Sequence, residues 1–295
     1  MEDYTQASQQ LHAWLSGALS LSFLRAVVNS DVLAILHQAC TIQDIASHLH
    51  LEEAWARELC RALYALNIVD CYDNTYVLSH DFTCLLHPDA PLSLSDTVGI
   101  FEVFSREMEH IFAPQRSYAQ LPLEATLKVA RGKLGNPASA LARYAFQQLS
   151  AQMPEVMALW NTDTQHLELG CGVGRDLLCL AASYPQVYVT GVDINADALL
   201  HAQREAENLE VSNRVTLIQA DALTLKYHEE FHTVSWSQIF FPLDSRHSAL
   251  EVSHRSLKPG GYLIVPLQYD LSSTQEQWRA AEQRLPLLLQ LIYRY

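Results

Sequence analysis

Positive charge is scarce in this chain. Its 295 residues hold 19 Lys and Arg against 33 Asp and Glu, a formal net charge of −14. Phosphate recognition needs clustered basic side chains, and here they are scattered, which argues against nucleic acid or an anionic membrane surface as partner. Cysteine is sparse too. The six, at positions 40, 60, 71, 84, 171 and 179, form no CxxC pair and stand nowhere at zinc-ligand spacing to histidine. They read as free or buried thiols of a reducing compartment, with no metal site among them. The opening Met1-Glu2-Asp3-Tyr4 lacks the basic start of a secretory signal. The apolar stretch Leu11 to Val28 is interrupted by His12, Arg25 and serines, which suits a buried amphipathic helix better than a membrane span. These absences point to a cytoplasmic protein whose substrate is a small molecule or a protein. With 49% hydrophobic residues the chain can fill two ordinary domains.

The first ninety residues read as helical with one hairpin. Thr41 followed by Asp44 is a capping signature for a helix through Leu49. A second helix is predicted from Glu52 to Leu66, with Trp55, Leu59, Leu63 and Leu66 on one face. Ile68 to Tyr72 and Tyr76 to Leu78, around Asp73-Asn74, predict a β-wing. This order resembles a winged-helix module. A DNA-reading role would need basic residues on the third helix and wing; the helix offers Arg57 and Arg61 against Glu52, Glu53 and Glu58, and the wing offers none. From about Leu92 to Trp160 the pattern is again helical, and Phe101, Phe104, Met108, Ile111 and Phe112 fall on one stripe.

The texture changes at His166. His166-Leu167-Glu168-Leu169 reads as a strand entering the turn Gly170-Cys171-Gly172-Val173-Gly174, and a helix follows to Tyr184. Side chains at those glycines would block close backbone approach to a ligand. A second strand, Val187 to Val192, ends at Asp193, about twenty residues on, where an acidic side chain accepts from ribose hydroxyls. A third, Val215 to Gln219, ends in Ala220-Asp221-Ala222. Phe231 to Ser237 reads as the fourth strand and Tyr262 to Leu267 as the fifth, after the turn Lys258-Pro259-Gly260-Gly261.

The ordered motifs ELGCGVG, VTGVDINADAL, VTLIQADAL and SLKPGGYLIV resemble those of class I S-adenosylmethionine-dependent methyltransferases. With the N-terminal module they are similar to the small-molecule O-methyltransferases that carry a winged-helix-like dimerisation domain. The resemblance implies an α/β, Rossmann-like doubly wound sheet preceded by a mainly α-helical winged-helix-like domain. It implies a dimerisation domain over 1–90, a helical linker over 91–160 lining the acceptor pocket, and a cofactor-binding domain over 161–295. It implies S-adenosyl-L-methionine as cofactor, a small-molecule acceptor and a homodimer. On this resemblance Glu168, Gly170, Gly172, Gly174, Asp193, Ile194, Asp221, Ala222 and Ser237 bind the cofactor. Asp221 has a helix-cap role as its alternative. Phe104, Met108, Phe146, Gln238, Phe240 and Phe241 line the acceptor site.

Two departures stand out. The resembled enzymes place a histidine base just after the fourth strand; here Ile239, Phe240 and Phe241 occupy that place, and none accepts a proton. His110 and His247 remain as candidate bases, His201 and His254 reading as solvated helix positions. The loss suits an acceptor needing little deprotonation, or a relative that binds the cofactor for non-methylating chemistry, of the pericyclase or decarboxylase type. Ser272 to Tyr295 reads as one helix, so the last two strands of the resembled sheet are not expected.

Overall fold

The computed structural model describes residues 2–87, 89–110, 112, 122–134, 136–241 and 243–266. The chain divides into two compact units, residues 1–99 and 100–295.

In the first unit α1 (Glu2–Val28), α2 (Val32–Ile35), β1 (Cys40–Thr41), α3 (Ile42–Leu49), α4 (Glu53–Ala65), β2 (Val69–Tyr72), β3 (Thr75–Leu78) and α5 (His80–Leu85) follow one another. The strands form an antiparallel sheet of order β1-β3-β2. The wing turns at Asp73 and Asn74, both with positive φ (48° and 64°), the conformation a tight hairpin demands and short polar residues tolerate. The Thr41–Asp44 capping box is formed from both sides. The expected apolar face of α4 is rotated: Ala56, Cys60 and Leu63 are buried, while Trp55 is 63% exposed. Small side chains at 56 and 60 let the helix approach Ile45 and Val69 in the core, and the indole is left outside. Arg57 and Arg61 pair with Glu53 and Glu58 on their own helix, so the residues a DNA reader would need are neutralised locally. The expectation of a buried helix at Leu11–Val28 also fails within this chain. Phe23, Leu24, Val27 and Val28 reach the core, but Leu11, Trp14, Leu15 and Leu19 are exposed. By length and composition alone Tyr4–Val28 could cross a membrane.

α6 (Leu94–Met108) leads into the second unit, with Val103 and Phe104 buried and Phe101 partly exposed; Phe112 is exposed and Ile111 lies outside the described residues. There follow α7 (Leu123–Leu134), α8 (Ala140–Ser150), α9 (Pro154–Trp160), β4 (Thr164–Leu169), α10 (Arg175–Ser183), β5 (Val187–Asp193), α11 (Ala196–Asn208), β6 (Val215–Gln219), β7 (Phe231–Trp236), α12 (Leu243–Ser256) and β8 (Leu257–Ile264). The five strands are parallel in the order β6-β5-β4-β7-β8. The chain winds outward through β5 and β6, then returns to lay β7 beside β4. That reversal opens a crevice beyond the carboxyl ends of β4 and β7, where ligands of such sheets sit. The fifth strand differs from expectation. Lys258 to Gly261 lies inside β8 as an irregularity, with Phe231 opposite Leu257 and Thr233 opposite Tyr262, and Gly260 takes φ 79° to absorb it. The expected C-terminal helix lies outside the described residues.

A polar chain crosses the sheet between β4 and β7. Trp160 Nε1–H donates to Thr233 Oγ1 (3.2 Å), which meets His166 Nδ1 at 2.8 Å, and His166 Nε2 meets Ser235 Oγ at 3.1 Å. Burial without a charged partner drives the His166 pKa down to about 3, so the ring is neutral. The unfolded chain binds a proton near the ordinary value of 6.5 and the folded chain does not. This contribution is therefore whole above that value and is lost as pH falls from it toward 3. Urea unfolding of the wild type and His166→Gln should show the wild type more stable at pH 7.5, and the gap should narrow by about 1.4 kcal/mol per pH unit below 6. A constant gap would contradict the neutral ring.

Candidate functional site

The site is built where β4 and β5 end. From Leu169 the chain must turn at once into α10, and the backbone of the turn hangs on the neighbouring strand: Gly170 N–H and Cys171 N–H both donate to Val192 O (2.8 and 3.1 Å). Gly170 and Gly174 adopt φ 70°, which a side chain resists. Space is tight there as well. A Cβ on Gly170 would stand 3.2 Å from the Phe241 ring, and one on Gly174 would stand 3.1 Å from Ala202 Cβ.

Asp193 closes the loop onto β5. Its Oδ2 accepts from Gly172 N–H at 2.7 Å and its Oδ1 from Asn195 N–H at 2.8 Å. Burial raises its pKa, and the N–H donors of Asn195, Gly172 and Ile194 pull it back. Each carboxylate oxygen still has accepting capacity, which suits a ribose diol. Ala220 N–H donates to Asp193 O (3.0 Å) and so brings the end of β6 alongside. There Asp221 caps the short 3₁₀ turn Ala222–Thr224 through Leu223 N–H at 2.9 Å, the helix-cap alternative realised. Its carboxyl is exposed, leaving lone pairs for an adenine amine. Ile194 is exposed beside it and Ala222 buried.

Glu168, at the end of β4, is the unusual member. Its Oε2 is buried without a hydrogen-bond partner. Burial pushes its pKa well up, Asp176 and Asp193 push it further, and an N–H donor from Leu177 offsets this in part. Cys171, between the glycines, is likewise raised by burial and then by the carboxyls of Glu168 and Asp193.

Beyond β7, Ser237 starts a 3₁₀ turn over Gln238–Phe240, and Phe241 packs edge-on against Trp236 with ring centroids 5.2 Å apart. Phe241 thus lies between Trp236 and the glycine turn. The segment is clamped by Arg246, whose guanidinium donates to Gln238 O (2.8 Å) and Phe241 O (3.1 Å). From the other side Leu127 on α7 packs against Val173 and Ala198, and Arg175 donates to Asn136 Oδ1 at 3.4 Å. Arg246, Leu127 and Asn136 were not foreseen: an arginine on a helix and an aliphatic residue on a linker carry no local signal.

The structure brings the glycine turn, Glu168, Asp193, Ala222, Asp221 and Phe241 together. It places Phe146 differently, stacked on Trp160 at 6.0 Å within the core cluster that includes α10. Phe104 is buried on α6 and Met108 half-buried. His110 is exposed, and His247 is exposed with its ring 3.3 Å from Glu251 on the same helix. His201 is half-buried on α11 and His254 exposed on α12. Among the described residues no group of histidine, cysteine and carboxylate side chains could hold a metal ion.

Residues 167–261 match the family model described as a methyltransferase domain. The chain is 28% identical over 158 residues to a release factor glutamine methyltransferase of Rhodopirellula baltica, covering 46% of this chain and 53% of that one. It is 29% identical over 148 residues to the 27-O-demethylrifamycin SV methyltransferase of Amycolatopsis mediterranei, covering 48% and 54%. The chain therefore spans about half the length of these curated relatives. Its fold is similar, over 98% of this chain and 87% of the other, to a methyltransferase of calicheamicin biosynthesis solved in its SAH-bound form, with a TM-score of 0.65 at 16% identity. Residues 167–261 of the second unit thus carry a methyltransferase domain, and S-adenosylmethionine, the cofactor that the sequence resemblance implies, is the group that the site would have to accommodate.

The residues present fit that cofactor. A turn with no side chains at its glycines, a carboxylate with spare acceptors at the end of β5 and an orphaned buried carboxyl oxygen at the end of β4 match a nucleoside diol and a positive charge. Asp193→Ala should weaken S-adenosylmethionine binding by roughly 10-fold or more, since a hydrogen bond to a charged group contributes about 1.5–3 kcal/mol. Unchanged affinity in calorimetry would remove Asp193 from the site.

Proposed function

We propose that this protein transfers a methyl group from S-adenosylmethionine to a small, apolar or aromatic metabolite, working in the cytoplasm as a homodimer. The observation that carries the reading is the meeting of Phe241 with the glycine turn: an apolar ring held 3.2 Å from the Cβ position of Gly170 sets an aromatic wall beside the cofactor loop. Such a wall favours a hydrophobic or cationic acceptor over a charged anionic one.

The cofactor supplies a methyl group already activated for displacement. What remains for the protein is to hold, orient and dry the acceptor. Gly170, Gly172 and Gly174 allow close backbone approach, and Asp193 and Asp221 fix the nucleoside end. Arg246 ties the backbone of Gln238 and Phe241, so the wall keeps its position, and Phe241 excludes water from the turn. The segment directly after β7, Ser237 to Phe241, holds no histidine, and neither His110 nor His247 is held in a buried, oriented setting. Proximity is then the main source of rate, and the acceptor supplies its own nucleophile.

This is tested by incubating the protein with S-adenosylmethionine and panels of phenols, amines, thiols and apolar carbon nucleophiles, following S-adenosylhomocysteine release. Product formation without such release would instead mean non-methylating chemistry. With an acceptor in hand, His110→Ala and His247→Ala should each lower the rate by less than about 10-fold, because general base catalysis typically supplies 10²–10⁴. A hundredfold loss in either, with folding intact, would identify a base.

The homodimer reading rests on α1, whose exposed Leu11, Trp14, Leu15 and Leu19 form more apolar surface than a solvated helix carries. Sedimentation at micromolar concentration should give a dimer, and Leu15→Glu with Leu19→Glu should give a monomer. A monomeric wild type would end the proposal.

A further inference from the structure

Glu168 stands at the end of β4 with one carboxyl oxygen sealed from water and unbonded. An ionised carboxylate is expensive in such a place unless it is paired. The groups that face it do not pair it. From its own strand comes His166, held neutral between Thr233 and Ser235. Ser235 lies opposite Glu168 in the register of β7. From β5 comes Asp193, from the turn the Cys171 thiol, and from α10 Asp176 and the Leu177 N–H. Arg175, at the start of the same helix, reaches Asn136. The charges acting on Glu168 are thus the two carboxylates of Asp176 and Asp193, and both are negative.

A proton on the Glu168 carboxyl removes this conflict in the ligand-free protein. A positively charged ligand removes it in the opposite way, by supplying the missing counter-charge. Both cannot be needed at once. We propose that Glu168 is protonated in the ligand-free protein and releases that proton to solvent when S-adenosylmethionine binds, so that cofactor capture and proton release are one coupled event. The O–H bond of the carboxyl breaks, its electron pair stays on oxygen, and the ligand's positive charge takes the place of the proton. This rests on the reading of S-adenosylmethionine as the ligand.

The coupling fixes the direction of the pH effect. Where the free protein holds the proton, affinity should rise with pH by up to ~10-fold per unit, then level off once Glu168 ionises unaided. The same proton reports on folding. A carboxyl whose proton is held more tightly in the folded than in the unfolded state lowers stability as pH rises above its ordinary value. Glu168→Gln should therefore melt at a higher temperature than the wild type at pH 8 without ligand, and bind S-adenosylmethionine less well there.

The test is calorimetric titration of S-adenosylmethionine into the full chain at pH 6 to 7, below the range where its α-amino group loses charge, in buffers of different ionisation enthalpy. The slope of apparent enthalpy against buffer enthalpy counts protons released. The wild type should release a substantial fraction of one proton, and Glu168→Gln should bind with a slope near zero and a flat pH profile. Wild-type binding with no proton release would overturn the coupling while leaving the cofactor reading intact. Release that persists in Glu168→Gln and vanishes in Asp193→Asn would move the proton to Asp193 and overturn the assignment. Absence of any wild-type binding would overturn the cofactor reading itself. The melting comparison shows that Glu168→Gln is folded, so its loss of release is read on an intact site.

Discussion

Two backbone N–H groups, of Gly172 and Asn195, close on a single carboxylate, and the site at the sheet edge depends on that closure. Asp193 is the last residue of β5, and its two oxygens hold the glycine turn on one side and the start of α11 on the other. Through its own carbonyl it also draws in Ala220 beyond β6. One residue therefore fixes the separation of three loops. A hydrogen bond to a charged acceptor contributes more than a neutral one, and here two converge in a setting largely screened from water. The turn can then do without side chains of its own, leaving the space that a nucleoside needs.

The legible part of this architecture is the part where local chemistry and tertiary demand coincide. The glycines of the turn were readable because positive φ and close approach leave no other residue suited to them. The strands around His166, Val187 and Phe231 were readable because covered parallel strands appear as apolar runs. Asp73-Asn74 gave the hairpin and Thr41 with Asp44 gave a helix start, since both are resolved within four residues. Where the sequence misled, the decision was tertiary. Trp55 matched a helical stripe as well as Ala56 and Cys60 do, but close approach to the core favours small side chains, and periodicity does not weigh volume. The Lys258–Gly261 motif read as a turn and lies inside β8, the outermost strand on that side among the described residues, because β7 pairs across it. Phe146 looked like an acceptor wall until Trp160, fourteen residues away, took its ring.

The N-terminal helix shows a different limit. Its composition is apolar enough for burial, and the expectation of burial was sound physics applied to the wrong boundary. Within one chain only the last turns, from Phe23 to Val28, find the core. An apolar surface of this kind needs a neighbour, and hydrophobicity alone does not say whether the neighbour belongs to the same chain.

His166 and Glu168 show how one strand can hold two buried titratable groups to opposite ends. They sit two residues apart on β4 and so face the same side of the sheet. His166 is flanked by hydroxyls from Thr233 and Ser235, which satisfy both ring nitrogens, and burial keeps it neutral. That polar chain is complete, and it braces β4 against β7. Glu168 is flanked by carboxylates and keeps one oxygen bare. A buried polar group left without a partner costs stability wherever it lies. The incomplete one stands at the carboxyl end of the strand, and the complete one lies deeper in the sheet. The strand is thus polar and fully bonded at His166, and electrostatically unfinished at Glu168, where a cationic cofactor would complete it.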